Sequence, residues 1–149
     1  MQIRQPRNEG VVRYLERNSK AIPDLRLPRE RHLDYMECGA HPDVVERVWD
    51  ELGKHLPLQC RQVVLGTPGL IAPQSGVVLA LAFGTQYTLR LPGRVVREGA
   101  GSSVRTVTTW STGGQMNIHE EFGPDWIFGS WGSAEEAWCL EAFREAENE

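Results

Sequence analysis

The sequence has no long hydrophobic run and few cysteines. None of its apolar stretches approaches the roughly 18 residues that a membrane-spanning helix requires, so we expect no membrane partner. It also lacks the charge blocks and low-complexity tracts that accompany disorder. The three cysteines are too few and too irregularly spaced for a disulfide scaffold, and the first residues lack the apolar segment of a secretory signal. We therefore interpret the cysteines as reduced thiols and expect a cytoplasmic protein.

Charge is unevenly divided along the 149 residues. The first 35 residues contain eight basic and five acidic side chains, whereas residues 36–149 contain eight basic and fifteen acidic ones, a net charge of −7. A body of this sign repels phosphates, so we expect no nucleic-acid binding by the main domain. It favours a protein partner, and a basic one in particular, because opposite charges steer an encounter. The sequence does not indicate an oligomeric state.

The length is typical of one domain, and the chain divides into a lead-in and a body. Residues 1–36 are predicted to form an N-terminal lead-in, extended or as a short helix, that is strapped on the body. Its helical pattern is the spacing of Val11, Tyr14 and Leu15. Residues 37–149 are predicted to form a single α+β domain.

Two helices are predicted in the body. The first begins at Pro42, since proline suits a first helical turn, and its apolar residues recur at helical spacing. The second runs from Ala134 to about Glu145. It follows a capping box, in which Ser133 and Glu136 satisfy free backbone N–H groups of the first turn.

The region between these helices is predicted to be an antiparallel sheet. Val77–Phe83 is apolar at every position, as in strands that are covered on both faces. The next two residues, Gly84 and Thr85, suit a hairpin loop that pairs Ala82 with Tyr87. The sequence therefore predicts an α+β fold: an antiparallel meander sheet of five or six strands, with an N-terminal and a C-terminal helix packed on it.

Three further predictions concern turns and loops. Residues 67–70 (Thr-Pro-Gly-Leu) are predicted to form a type II turn, because Pro and Gly suit its two central positions. Pro92–Ser103 is predicted to be a long mobile loop. Ser103–Ser111 and Gln115–Phe122 are predicted to pair as a second hairpin around the two glycines between them.

One face of this second hairpin is the first candidate site. Strand alternation places Asn117, His119 and Glu121 side by side. The two-glycine turn sets Trp110 opposite Asn117, and Arg90 joins them if the two hairpins are neighbours. A histidine beside a carboxylate suits acid–base chemistry, so His119 and Glu121 are the candidate catalytic residues. The group as a whole suits a small polar ligand, although a half-solvated sheet with ordinary cross-strand pairs would show the same alternation.

The sequence contains only partial patterns for zinc binding, nucleophilic catalysis and phosphate binding. Cys38 and His41 have a zinc-binding spacing, but a closed zinc site needs four ligands and no second close pair follows. The sequence has no Gly-x-Ser-x-Gly elbow and no P-loop, and Cys139 falls on an apolar helical stripe where thiols are usually inert. We therefore expect no cofactor and no metal, with Cys38 and His41 as the candidate ligands if zinc is bound. The sequence argues against an enzyme without excluding one.

The five tryptophans and the acidic last helix suggest an interaction surface. A tryptophan that is left exposed, such as Trp131 between strand and helix, is a natural interface anchor. The candidate partner-binding residues are Trp131, Glu135, Glu136, Glu141 and Glu145. Our hypothesis is a non-enzymatic protein-binding or accessory module, of the kind that immunity proteins and adaptors represent. The alternative is a small-ligand-binding domain or hydrolase-like enzyme that uses the sheet face of Asn117, His119 and Glu121.

Overall fold

The computed structural model describes residues 2–17, 25–26, 39–98, 106–108 and 115–148. The strands are β1 (Leu25–Arg26), β2 (Arg61–Val64), β3 (Thr67–Ile71), β4 (Val78–Phe83), β5 (Gln86–Arg90), β6 (Thr106–Thr108), β7 (Gln115–Asn117) and β8 (Trp126–Phe128). Six of them form one sheet in the order β1-β2-β3-β4-β5-β8, and every neighbouring pair is antiparallel. The other two, β6 and β7, form a separate antiparallel pair.

The helices lie near both ends of the chain and between the strands. They are α1 (Glu9–Arg17), α2 (Pro42–Arg47), α3 (Gly93–Arg97), α4 (Ile118–Glu121) and α5 (Glu135–Glu147). A 3-10 turn (Pro6–Asn8) leads into α1, and a π-helical turn (Val48–Leu52) extends α2. In the part of the chain that is described, no helix combines the length and hydrophobicity needed to cross a membrane. The predicted α+β fold with an antiparallel sheet is confirmed.

Helices cover both faces of the sheet. On one face, Val48 after α2 and Ala142 of α5 pack against β4 and β5. On the other face, Val11 of α1 and Ile118 of α4 pack against β4 and β8. Five of the six residues of β4 are buried, because the strand contributes to both hydrophobic clusters. The prediction that Val77–Phe83 is a strand covered on both sides is confirmed.

The hairpin of β4 and β5 has the predicted register. Ala82 pairs with Tyr87, and Ala80 pairs with Leu89. The two-residue loop begins at Gly84, whose φ of 51° is a left-handed value that glycine adopts without strain. Because so short a loop allows one pairing, local sequence is sufficient to set the register here.

The predicted turn at residues 67–70 is wrong, because these residues belong to β3. The chain reverses instead at Leu65 and Gly66, whose φ values of 46° and 82° are the positive values of a type I′ turn. Gly69 is needed for another reason: a Cβ there would lie 2.3 Å from the backbone oxygen of Ala80 in β4. The Pro-Gly pair marks close strand packing rather than a turn.

The predicted mobile loop at Pro92–Ser103 is wrong in its first half. Gly93–Arg97 forms α3, which is anchored by the buried side chain of Val95. The first N–H of this helix donates to Glu145 of α5 at 3.1 Å. The short helix forms because it has a buried contact and an acceptor for its N-terminus. Residues 99–103 lie outside the described residues.

The predicted strand Gln115–Phe122 is wrong beyond Asn117, where β7 ends and α4 begins. The side-chain oxygen of Asn117 accepts hydrogen bonds from the N–H groups of His119 at 3.0 Å and Glu120 at 3.3 Å. This is an N-cap, which favours a helix over a continued strand. The observed register pairs Asn117 with Thr106, so the predicted pairing of Asn117 with Trp110 is wrong.

The predicted capping box of the last helix is also wrong. Ala134, which has no side-chain acceptor, occupies the N-cap, and the helix begins at Glu135 rather than following Ser133. Glu136 does not reach back to the first turn; its carboxylate lies 3.7 Å from the imidazole of His55. The start of α5 is determined instead by tertiary contacts of Glu135, described below.

Candidate functional site

Trp131 lies between β8 and α5 and is partly exposed. Its φ of 58° is a left-handed value that so large a side chain rarely adopts. Its backbone N–H donates to the Tyr87 hydroxyl at 2.7 Å, and the ring centres of the two residues are 4.0 Å apart. Such a conformation persists only where the surroundings impose it. Here a strand of the central sheet holds both the backbone and the ring of Trp131.

A buried carboxylate completes this arrangement. Glu135, the first residue of α5, is 5% exposed and accepts hydrogen bonds from the Tyr87 hydroxyl and from the backbone N–H of Ser130. Burial, and then the hydrogen bond to Glu135, raise the pKa of Tyr87 well above its ordinary value, so the phenol stays protonated and able to donate. The prediction that Glu135 belongs to an exposed acidic face is wrong, since its oxygens serve these internal donors.

Gly129 allows the backbone to pass directly against Tyr87. A Cβ at Gly129 would lie 1.9 Å from the Cζ atom of the phenol. No other residue fits there without moving either the strand or the segment that carries Trp131. The position of Trp131 therefore depends on the absence of a side chain two residues earlier.

The guanidinium group of Arg47 covers the indole of Trp131. Its central carbon lies 3.8 Å from the ring centre, and its Nε pairs with Glu51 one helical turn further along. Because two groups at this distance cannot share one face of a ring, Arg47 and Tyr87 cover opposite faces of the indole. Arg47 and Glu51 are exposed, whereas Tyr87 is buried. We call Trp131, Arg47, Glu51, Tyr87 and Glu135 the Trp131 platform.

The other acidic residues predicted on α5 hold the helix on the rest of the protein. Glu136 lies 3.7 Å from His55, and Glu141 lies 3.2 Å from Arg94. Glu145 accepts from the first backbone N–H of α3. The carboxylates of the predicted docking face therefore have partners within the molecule. These contacts hold α5 on the rest of the protein and partly neutralise its negative charge.

His119 and Glu121 line a groove of about 270 Å³ between α1 and α4. Arg7 and Arg13 line the same groove from the opposite side. Glu121 pairs with Arg17, so its negative charge is already compensated in part. Within the described part of the chain, the Nε2 atom of His119 is buried and has no hydrogen-bond partner. The two predicted residues thus share one cavity, on a short helix rather than on a sheet.

Arg90 is part of the interior. It is 5% exposed, donates to the backbone oxygen of Val78 at 2.8 Å, and pairs with Asp125 at 2.7 Å. Its guanidinium group also lies 4.8 Å from the ring centre of Trp126, and it contacts Asn8 in the segment before α1. These contacts hold the N-terminal segment against β4 and β5.

The predicted ligand-binding face is therefore not assembled as a unit. Among the residues that are described, His119 and Glu121 come together, whereas Arg90 lies in the interior. Asn117 caps α4 with its side chain, and Trp110 lies outside the described residues. Strand alternation does not place these side chains on one face, because the backbone changes from strand to helix immediately after Asn117.

The candidate metal ligand and the thiols have other roles. The Nδ1 atom of His41 accepts from the Asp43 N–H at 3.1 Å and caps α2, while Cys38 lies outside the described residues. Across the described ranges, no three His, Cys, Asp or Glu side chains are grouped to hold a metal ion. Burial raises the pKa of both Cys60 and Cys139 to about 12, so these thiols are protonated and poorly nucleophilic at neutral pH.

The sequence pointed to Trp131 and Glu135 but to neither Arg47 nor Tyr87. Each of the two has an ordinary local explanation, since Arg47 lies on the polar side of a predicted helix and Tyr87 pairs with Ala82 in a predicted hairpin. Gly129 signals close backbone packing, but it does not identify the side chain that packs against it. The platform forms because α2 and α5 pack on the same face of the sheet, where the side chain of Tyr87 in β5 meets them.

No family model, curated protein or solved structure matches the chain. The function of the protein is therefore inferred from the contacts, burial and charges of the Trp131 platform and of the groove between α1 and α4.

Proposed function

We propose that the protein is a non-enzymatic protein-binding module whose recognition surface is the Trp131 platform. The observation that carries this proposal is a partly exposed tryptophan held at a φ of 58° by a buried tyrosine and a buried glutamate. Tryptophan, tyrosine and arginine are the residues most enriched among the anchors of protein interfaces. An anchor that is already fixed loses little conformational entropy on binding, so more of its contact energy is available for affinity.

The surroundings of the platform favour a basic partner. Exposed acidic residues follow one another along α2 and its π-helical extension: Asp43, Glu46, Asp50 and Glu51. As on α5, part of this charge has internal partners, since Asp50 pairs with Arg61 and Glu51 pairs with Arg47; exposed Asp43 and Glu46 contribute the remainder. A partner with a positive surface would be steered toward this side of the sheet.

Affinity capture from native lysate with the full chain tests the proposal. Trp131→Ala removes the anchor, so proteins retained by the wild type should be lost. Leu58→Ala is the matched control, since Leu58 is an exposed large hydrophobic residue, 70% exposed, outside the platform. Circular dichroism and thermal melting establish that both variants are folded. Equal recovery of the same proteins by the wild type and by Trp131→Ala would reject the platform as the interface.

A second candidate function is the binding of a small polar ligand in the groove between α1 and α4. The observation in its favour is that His119 and Glu121 share this cavity with two arginines. His119→Ala should abolish ligand binding or turnover and leave protein capture unchanged, whereas Trp131→Ala should do the reverse. Screening small anions and zwitterions by NMR chemical-shift changes in wild type and His119→Ala distinguishes the two functions.

A further inference from the structure

The Trp131 platform already holds a guanidinium group. The Arg47 carbon lies 3.8 Å above the indole centre, and a carboxylate, Glu51, pairs with its Nε. An aromatic face together with a carboxylate is the combination that binds arginine side chains, because the ring attracts the cation and the carboxylate accepts its N–H groups. The platform therefore has the chemistry of an arginine-binding site, and its occupant belongs to the same chain.

Arg47 is held more loosely than the surface on which it lies. Its side chain is 47% exposed, and its pair with Glu51 is an exposed contact between neighbouring turns, a type that contributes little stability. The indole, in contrast, is fixed from the other face by buried Tyr87 and through its backbone N–H. Removal of Arg47 would leave the ring in place with one face open.

We infer that this face of Trp131 binds an arginine side chain of a basic partner, and that Arg47 covers the face until the partner displaces it. The inference rests on the proposed function and adds the chemistry of the partner and a competing internal contact. An incoming guanidinium group would take over both the indole and Glu51. Exposed Asp43 and Glu46 on α2 would face the flanking basic residues of the partner.

The expected effect of the cover is modest and has a defined sign. A ligand that binds only the uncovered state has its affinity reduced by the fraction of molecules that are covered. Exposed cation–π contacts of this kind correspond to an equilibrium shift of about two- to fivefold. Arg47→Ala should therefore strengthen the binding of an arginine side chain by about two- to fivefold, whereas a residue that contacts the partner would weaken binding when removed.

Short peptides provide the test. The probes are blocked pentapeptides with a central arginine between glycines, and the same peptides with lysine or with neutral citrulline in its place. Binding to the full chain is followed by the NMR signal of the Trp131 indole N–H, which is assigned from its loss in Trp131→Phe. We expect the arginine peptide to shift this signal, to bind Arg47→Ala more tightly than wild type, and to bind Glu51→Gln less tightly. The citrulline peptide should leave the signal unchanged.

Arg17→Ala is the matched control, because Arg17 is also an exposed arginine that lies over an aromatic ring, that of Tyr14, and pairs with a glutamate, but lies on the opposite side of the sheet. It should bind the arginine peptide as the wild type does. Absence of binding to both wild type and Arg47→Ala, or weaker binding to Arg47→Ala, overturns the inference. The two proposals fail separately: if Trp131→Ala loses its captured proteins but Arg47→Ala also loses them, the platform is the interface and Arg47 is a contact residue rather than a cover.

Discussion

The two faces of the sheet contain clusters of similar composition with different exposure. On the side of α1, the buried charge of Arg90 lies beside Trp126. On the side of α5, the buried charge of Glu135 holds Tyr87, which packs on Trp131. Trp126 is fully buried, whereas Trp131 is partly exposed. A hydrogen-bonded charge lies near a tryptophan on both faces. On the side of α1 the cluster stabilises the interior, because the indole of Trp126 is buried. On the side of α5 the cluster presents an aromatic ring to solvent, because the indole of Trp131 is partly exposed.

The interior cluster joins distant parts of the chain. Asn8 is fully buried and donates from its side chain to the backbone oxygen of Gly76 at 2.8 Å, while its own oxygen accepts from the Val78 N–H at 2.9 Å. Arg90 contacts the same oxygen of Asn8 at 3.4 Å. The segment before α1 is therefore part of the packed structure on this face. Its polar groups have internal partners, as buried polar groups require.

Removal of the buried cation should have the largest effect on stability. Arg90→Met leaves the Asp125 carboxylate and several backbone and side-chain oxygens without their donor, so we expect the free energy of unfolding to fall by about 3–5 kcal/mol. Urea denaturation measures this loss of unfolding free energy. Arg97→Met, at an exposed position of α3, is the control and should change stability by less than about 0.5 kcal/mol. A loss below about 1 kcal/mol in Arg90→Met would show that the cluster is not essential for folding.

Removal of the buried carboxylate should have a smaller effect on folding and a larger one on the surface. Glu135→Ala leaves the Tyr87 hydroxyl and the Ser130 N–H without an acceptor, which should cost about 2–3 kcal/mol. The adjacent Glu136→Ala is the control, since Glu136 has a long contact with His55 on the surface. The Trp131 indole N–H signal should move or broaden in Glu135→Ala and stay unchanged in Glu136→Ala. An unchanged signal in both would mean that Glu135 does not position Trp131.

Alkaline pH should lower the free energy of unfolding, because folding raises the pKa of Tyr87. Folding raises the pKa of Tyr87 above its ordinary value of 10.0, so above pH 10 the unfolded chain releases a proton that the folded protein retains. The stability contributed by the phenol is thus complete below pH 10 and decreases as the pH rises further, by about 1 kcal/mol at pH 11. Urea denaturation of wild type and Tyr87→Phe at several pH values between about 8 and about 11 measures this decrease in stability. The difference between the two should narrow with rising pH; a constant difference would contradict the assignment.

The helix caps should give the smallest effects and the sharpest contrast with the sequence prediction. Asn117→Ala removes the acceptor for the first N–H groups of α4 and should cost about 1 kcal/mol. Ser133→Ala should cost almost nothing, because Ala134 rather than Ser133 occupies the N-cap of α5. Thermal unfolding of the two variants measures both effects. A larger loss of stability in Ser133→Ala than in Asn117→Ala would support the predicted capping box.

Sequence reasoning succeeded where neighbouring residues determine the structure. The register of Ala82 with Tyr87 follows from a two-residue loop, and the start of α2 at Pro42 follows from proline chemistry. It failed where two local signals compete. Asn117 ends a strand by capping a helix, and Gly69 is required by the backbone of β4 rather than by a turn. Alternation and turn preferences alone do not decide between such outcomes.

The sequence by itself determined an antiparallel α+β fold, the strand covered on both faces and the hairpin that pairs Ala82 with Tyr87, because periodicity and short loops act between near neighbours. The tertiary structure alone decided that Glu135 is buried, that Arg90 joins the interior, and that Arg47 lies over Trp131. These contacts link residues far apart in the chain, and no local pattern specifies which side chain a packed helix will bring to a given strand. The candidate site is made of such contacts, which is why the sequence pointed to only two of its residues, Trp131 and Glu135, and assigned Glu135 to an exposed face rather than to the interior.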